Sequence, residues 1–441
     1  MRSKCSEVAA TLYTLISQVW YRLTNLNTFT GQVSLTMVTN VIIAALGIAT
    51  GLLSARLLGP TGRGELAAIQ TWSTLIASLG LLGLGEAVVY FGSRHSDQSG
   101  RYLVSAVALI LMGSFGFVIL GWGSMPWLLR AQSAEVIGAA RVFLVVMLLT
   151  YTLVGMPHQV LRAVGAWRAW NLFRILPLVG WLTALLGVLV FSAWATPVAL
   201  SRLYLGAHVV LVFPMAFLTW RYIPRPFEVQ AGLFRPFLDY GLPSMLTVLP
   251  QVLNLRLDQL LMATFFEPRL LGLYVVAVVW SGAASPILQA VGPVLFPRLS
   301  EVSDRAQQGL LLSRVIHLTG MAILALTILL LFLTPHLLPL LFGDAYREAV
   351  PAALILVFAN GFSSLNLTLE DGLRGLGKPR QVLVAEVIGL GVTGVLLALL
   401  LPPFKIMGAA LASLLAYATV CASLIFMTVA STLSKNADSS E

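Results

Sequence analysis

The chain has 441 residues, of which 58% are hydrophobic and only 10% charged, and its net charge is +9. A soluble domain carries about 25% charged residues, so this composition, with a mean hydropathy of +0.89, excludes a soluble protein and defines a multi-pass membrane protein. The positive charges sit in short gaps between apolar runs, which makes them topology signals, and no nucleic-acid partner is expected.

Cys5 and Cys421, one near each end, give no disulfide framework and no thiolate metal site, and the five histidines are scattered. Neither a metal nor a catalytic residue is expected. The first segment, residues 1–30, contains VAATLYTLISQVWYRL, which holds Gln18 and ends at Arg22. It lacks the apolar core and small-residue cleavage site of a signal peptide. It reads as an amphipathic segment lying on the cytoplasmic face, with a loose tail as the alternative.

Apolar runs of about 20 residues, the length that crosses a bilayer as helix, then recur near 33–55, 66–92, 102–123, 139–160, 171–193, 199–220, 236–260, 269–296, 313–333, 349–372, 381–402 and 405–431. An all-α bundle of about 12 transmembrane helices follows. The intervening gaps are too short for a folded extramembrane domain. Threading the chain with its N-terminus inside places 18 of the 27 Lys and Arg on the cytoplasmic side and 9 on the other. That bias supports both termini inside.

The chain is also doubled. Leu53–Ser73, LSARLLGPTGRGELAAIQTWS, aligns with Leu261–Ser281, LMATFFEPRLLGLYVVAVVWS. Leu53, Ala55, Pro60, Gly64, Trp72 and Ser73 meet Leu261, Ala263, Pro268, Gly272, Trp280 and Ser281. Matched Pro and Gly at a corner are more telling than matched apolar residues, because they fix backbone shape. LRAVGAWR at Leu161 aligns with LRGLGKPR at Leu373, and MPWLLRAQSAEVIGAA at Met125 with LPLLFGDAYREAVPAA at Leu338. The near-constant offset implies two pseudo-symmetric six-helix bundles, 31–220 and 236–431. They are joined by a cytoplasmic link at 221–235 and followed by a tail at 432–441. Six spans per half make the repeat parallel, with a cleft between the halves.

The seventh run contains Pro243 and Pro250, which kink helices. Its Gln251, Asn254 and Asp258 share one face, while Arg256 lies well round the helix from Asp258. A polar stripe at membrane depth faces protein or a wet cavity. The eighth run shows Ser281, Ser285, Gln289 and Gly292 on one side, and the first shows Thr36, Asn40, Gly47 and Ser54. Gly47 and Gly51 also make a GxxxG packing pattern. Glu86, Asp239, Glu370, Asp371 and Glu386 gather toward cytoplasmic ends, with Arg162, Arg174 and Arg374 at similar depth. They are suited either to a coupling ion or to static bracing. Trp72 and Trp280 read as aromatic-belt residues. His158, His208 and His317 read as packed or helix-end side chains, and the sequon at Asn366 falls inside a span.

ARLLGPTGRGELA at Ala55, GLGEAVVYFGSR at Gly83, NLRLDQLLMA at Asn254 with GLYVVA at Gly272, and LLFGDAYREAVPAALIL at Leu340 together resemble the polysaccharide transporter (oligosaccharide flippase) family. That family lies within the multidrug, oligosaccharidyl-lipid and polysaccharide exporter superfamily. The likeness runs from about residue 31 to 430. It implies a two-lobed protein of the bacterial inner membrane that carries undecaprenyl-diphosphate-linked sugars for lipopolysaccharide or exopolysaccharide by alternating access. It also implies a substrate cavity near Asn40, Glu86, Arg174, Gln251, Asn254, Arg256, Asp258 and Gln289. No cofactor is implied beyond coupling to H+ or Na+. The expected partners are the lipid-linked oligosaccharide, membrane lipids and polysaccharide-assembly proteins. The alternatives are a cation-coupled multidrug antiporter of the same superfamily and, from another class, a membrane glycosyltransferase or polymerase.

Overall fold

The computed structural model describes residues 29–190, 194–285, 305–376 and 378–438. Gln289, Gly292 and nearly all of the N-terminal segment lie outside the described residues. The described chain is helical and contains no strand.

Helix α1 (Phe29–Leu79) is 51 residues long. At about 1.5 Å per residue it is more than twice as long as a ~30 Å hydrocarbon core is thick, so it makes two passes. The corner is Gly59, at φ 65 and ψ −179, followed by Pro60, which supplies no backbone donor. A second break at residues 80–83 puts Leu82 at φ 54 and Gly83 at φ 70 and separates α1 from α2 (Leu84–Arg94). Then come α3 (Ser99–Leu128) and α4 (Ala134–Thr150), capped at its start by the Ser133 side chain. A π turn at Tyr151–Gly155 leads into α5 (Met156–Ala163). The first half ends with α6 (Trp167–Val190), α7 (Pro197–Val210) and α8 (Val212–Tyr222).

The second half contains α9 (Phe234–Asn254), α10 (Leu257–Phe265) and α11 (Pro268–Ser281). It continues with α12 (Arg305–Phe342), α13 (Val350–Gly375) and the double-length α14 (Pro379–Asp438), broken at Lys405 after Pro402 and Pro403. Among the described residues, eight helical stretches are long and apolar enough to cross a membrane. Two of them, 34–79 and 379–428, are each long enough to cross twice. The broken α9–α10 pair and α11 complete the twelve-span plan. The expected seventh run is therefore two helices rather than one kinked helix, with its break at Leu255 and Arg256.

The halves pack differently at the two ends of the bundle. At the end carrying the Gly59–Pro60 corner, one apolar core runs through both halves, from Ala55 and Phe143 to Tyr274, Leu338 and Tyr346. At the opposite end the cores are separate. One, around Leu84, Tyr102 and Met156, is built by the first half and takes in Phe237, with Phe234, Leu238 and Tyr240 of α9 packed at its edge. The other, around Leu373, Ala385 and Leu424, belongs to the second.

The shared core is organised by the crossing of α1 and α11. A Cβ added to Gly64 would stand 1.7 Å from the Pro268 carbonyl oxygen, and one added to Gly272 would stand 1.8 Å from the Pro60 oxygen. These four residues are the matched corner positions of the repeat, so equivalent residues touch each other reciprocally. A Cβ added to Gly51 would stand 3.2 Å from Val279 of α11, whereas one added to Gly47 would meet nothing within 4 Å. Only one glycine of the expected packing pair is used.

The aromatic-belt reading of the matched tryptophans is corrected. Trp72 Nε1 donates to Leu260 O (3.2 Å) and Thr264 Oγ1 (3.0 Å), and Trp280 Nε1 donates to Thr334 Oγ1 (2.8 Å). Both indoles are turned into protein because their N–H groups find acceptors there. The link between the halves is held against the first half. Arg101 pairs with Glu228 at 3.6 Å, Gln230 N donates to Ser105 Oγ, and Gly100 lies beneath the Pro224 and Pro226 carbonyls.

Any side chain at Gly64 drives α1 off α11, and overpacking a tight contact costs about 1–3 kcal/mol. Gly64→Val therefore lowers the melting temperature of the purified protein in detergent, while Gly47→Ala, made into open space, does not. Equal melting of the two variants would refute the glycine crossing as a stability element.

Candidate functional site

A cavity of about 450 Å3 lies where the halves meet. The first half contributes the end of α1, the start of α2, the π turn and α5, and α9 forms the opposite wall. Each wall owes its shape to a helix irregularity. The break at 80–83 ends α1 early and starts α2 with Glu86 in its first turn, where the helix dipole favours an acid. The π turn brings Tyr151 and Gly155 to the wall, and such bulges recur at functional sites. Most of the lining is apolar, including Met156, Met245, Val248 and Leu249. Glu86 is exposed there. Gln159 adds an amide whose buried Oε1 has no partner among the described residues.

Three arginines, two within the first half and one at the α9–α10 junction, make no ion pair among the described residues. Arg174 donates to Asn40 Oδ1 (2.6 Å) and Asn171 Oδ1 (3.5 Å), both neutral, and lies 4.8 Å over the Trp170 ring. Arg162 lies 6.0 Å from the same ring and near enough to Arg174 to repel it. His158 Nε2 donates to the Trp170 carbonyl and its ring stacks on the indole, so it is a packed side chain. Arg256 is exposed at the junction of α9 and α10, close to Tyr151 of the cavity wall. It makes no side-chain hydrogen bond or ion pair among the described residues.

The polar stripe of the seventh run goes elsewhere. Gln251 Nε2 donates to Glu370 Oε2 (3.1 Å), which Arg374 also holds at 2.9 Å. Asn254 Nδ2 donates to both the carboxylate (2.7 Å) and the backbone carbonyl (3.0 Å) of Glu386, and its Oδ1 accepts from Thr393. Glu370 is 1% and Glu386 7% exposed. These groups border a small polar cavity of about 140 Å3 inside the second half, which also holds Asn360, Asn366 and Tyr417. Asp258 is buried beyond it. Its oxygens accept from Tyr274, Ser413 and the Gln259 amide.

Of the expected substrate residues, the structure thus brings Glu86 and Arg256 to the interface of the halves and joins Asn40 to Arg174 nearby. It places Gln251 and Asn254 in a separate polar pocket. The placement of Asp258 against the cleft is corrected, because three donors hold it in the packed interior. Gln289 lies outside the described residues. Tyr151 and Gln159 were not singled out by the sequence. A Tyr in an apolar run carries no pattern of its own, and the π turn that aims it leaves no sequence mark.

The helices define a multi-pass membrane protein with the fold of the transporters of the multidrug, oligosaccharidyl-lipid and polysaccharide exporter (MOP) superfamily. The lipid II flippase MurJ, in an inward closed conformation, superposes with a TM-score of 0.73 at 13% identity, covering 89% of this chain and 87% of that one. An inward-facing MATE multidrug resistance transporter superposes at 0.61 and 14% identity, over 89% of this chain and 95% of that one. A MOP-superfamily transporter from Pyrococcus furiosus does so at 0.60 and 15% identity, over 90% and 94%.

The family profile described as "Polysaccharide biosynthesis protein" matches residues 53–351. The chain belongs to that family. An uncharacterized membrane protein of Methanocaldococcus jannaschii is 30% identical over 131 residues, which are 29% of this chain and 26% of that protein. The match therefore spans about a quarter of that relative.

Asn254→Ala takes the amide donor from the buried Glu386 carboxylate, while Thr393 keeps the Gly389 carbonyl, and costs about 2–3 kcal/mol. Gln251→Ala costs less, because Glu370 keeps Arg374. Denaturation of the two variants in detergent, together with the Asn254→Ala/Glu386→Ala double variant, checks the ranking. A cost at Gln251 equal to that at Asn254 contradicts it.

Proposed function

We propose that the protein is a flippase carrying a lipid-linked oligosaccharide, with an undecaprenyl-diphosphate anchor, across the bacterial inner membrane by alternating access. The observation that carries this reading is Arg256, an exposed guanidinium close to Tyr151 of the cavity wall that makes no ion pair among the described residues, although the buried Asp258 lies within reach of its field. A guanidinium left without a direct partner in a transmembrane helix pair is costly and points to a use. Guanidinium groups recognise the oxygens of a diphosphate by charge-assisted hydrogen bonds. Arg162 and Arg174 add positive charge from the first half, and Glu86 and Gln159 offer hydrogen bonds to sugar hydroxyls. The polar head cannot cross ~30 Å of hydrocarbon unaided, and the cleft shelters it while the prenyl tail stays in lipid.

The Lys and Arg bias supports both termini inside and the shared-core end outward, so the end where the cores are separate faces the cytoplasm. Movement is driven by H+ or Na+ held at the buried acids Glu370 and Glu386, beside Gln251 and Asn254. The cargo is a precursor of a lipopolysaccharide or exopolysaccharide, handed on to polysaccharide-assembly proteins. Family membership supports the polysaccharide context, and the fold shared with a lipid II flippase supports an amphiphilic cargo.

In a strain lacking the chromosomal copy, Arg256→Ala should reduce surface glycan export about 10–100-fold, the loss expected for a charge-assisted contact. Unchanged export at equal protein level removes Arg256 from the site. Efflux of cationic dyes without glycan export would instead identify an antiporter. Conversion of labelled lipid-linked sugar by purified protein would identify an enzyme.

A further inference from the structure

Helix ends leave backbone carbonyls without donors, and within a membrane protein these find partners in the protein. At the shared-core end both corners reach a proline, Pro60 or Pro268, which has no N–H to offer. α10 closes with Phe266 N on Met262 O. The nearby carbonyls of Ala263 and Phe266 both accept from Gln132 Nε2, at 3.0 and 3.2 Å. Gln132 lies in the loop between α3 and α4, so this bond joins the first half to the second.

The mirror contact is present. Tyr346, in the loop between α12 and α13, donates its hydroxyl to Ala55 O at 3.0 Å. Ala55 and Ala263 are matched positions of the repeat. Gln132 aligns with Ala345 at the offset of 213 (132 + 213 = 345), one place from Tyr346. Each half therefore sends the same loop to the same carbonyl of the other. The flanks support both copies. Arg130 lies 4.2 Å over the Phe265 ring, and Arg56 donates to Leu340 O (2.7 Å) and Leu341 O (2.5 Å) at the end of α12. Gln132 is 8% and Tyr346 1% exposed, so both bonds are made in the interior, where water does not compete.

We propose that this end is closed by one latch built twice, Gln132 on Ala263 and Tyr346 on Ala55, and that the two copies release together. The joint release follows from the Gly64–Gly272 crossing between them. Two backbones in contact cannot slide past each other, so a movement that lifts one loop off its carbonyl separates the crossing and lifts the other. Gln132 and Tyr346 are thus gate residues that touch no cargo, and they weigh on the balance between the sealed and open states. The inference rests on the flippase reading only in treating the seal as a state that opens.

The test follows a buried reporter. Val276 is 1% exposed and lies on the α11 face that carries Gly272 and Val279, at helical spacing from both. Val276→Cys is made with Cys5→Ser and Cys421→Ala, reconstituted in liposomes and labelled with a water-soluble maleimide. Gln132→Leu and Tyr346→Phe should each speed labelling about fivefold, the effect of one hydrogen bond on an equilibrium, and together about 25-fold. Unchanged rates in the single variants, or a double variant no faster than either single one, overturn the latch.

A second reporter, Ser244→Cys on the cavity wall, separates gating from general loosening. Its labelling should not rise in the same variants. A rise at both sites marks a destabilised fold and also overturns the proposal. Neither readout needs a substrate, so the latch can stand if the flippase reading fails, and the reverse.

Discussion

A polypeptide in hydrocarbon cannot leave its own amide groups unpaired, and this chain repeatedly interrupts its helices. Breaks at Gly59, at 80–83, at 255–256 and at Lys405 free carbonyls and amides that a continuous helix would satisfy. Much of the polar architecture answers those interruptions. Tyr346, Gln132 and Arg56 donate to carbonyls near helix ends, and Tyr417 reaches the Asn254 carbonyl beside the 255–256 junction. The same breaks shape the central cavity. The need for backbone pairing and the shape of the site are therefore one problem with one solution.

This constraint also explains why charge is distributed as it is. Acids buried in the second half are wrapped by amides and hydroxyls, with Arg374 on Glu370 as the cationic contact. Arg162 and Arg174 of the first half face neutral partners or aromatic rings. The second half thus buries acids, while the first half carries arginines that no acid pairs with directly among the described residues.

The helical plan and the doubling were legible in the sequence because their signals are local. Apolar length reports a span, and Pro60, Gly64, Pro268 and Gly272 report a corner whatever surrounds it. The site was legible only in part. Spacing put Gln251, Asn254 and Asp258 on one face, but spacing cannot say what covers that face, and α13, α14 and α11 cover it. The break at Leu255 and Arg256 contains neither Pro nor Gly, so a continuous helix was the natural reading, and the exposure of Arg256 depends on that break. Trp72 and Trp280 followed the statistics of membrane interfaces until Thr264 and Thr334 supplied acceptors. Each miss concerns a partner far away in the chain, which single-chain periodicity does not encode.

The strap between the halves has a mechanical consequence. Residues up to Gln230 are fastened to the first half through Glu228 and the Gln230 amide, and α9 begins at Phe234. The start of α9 also leans on the first half, with Phe237 in that half's core and Tyr240 stacked on Tyr90. The link and the start of α9 are therefore carried by the first half, which leaves the two bodies too short a tether to drift into separate positions in the bilayer.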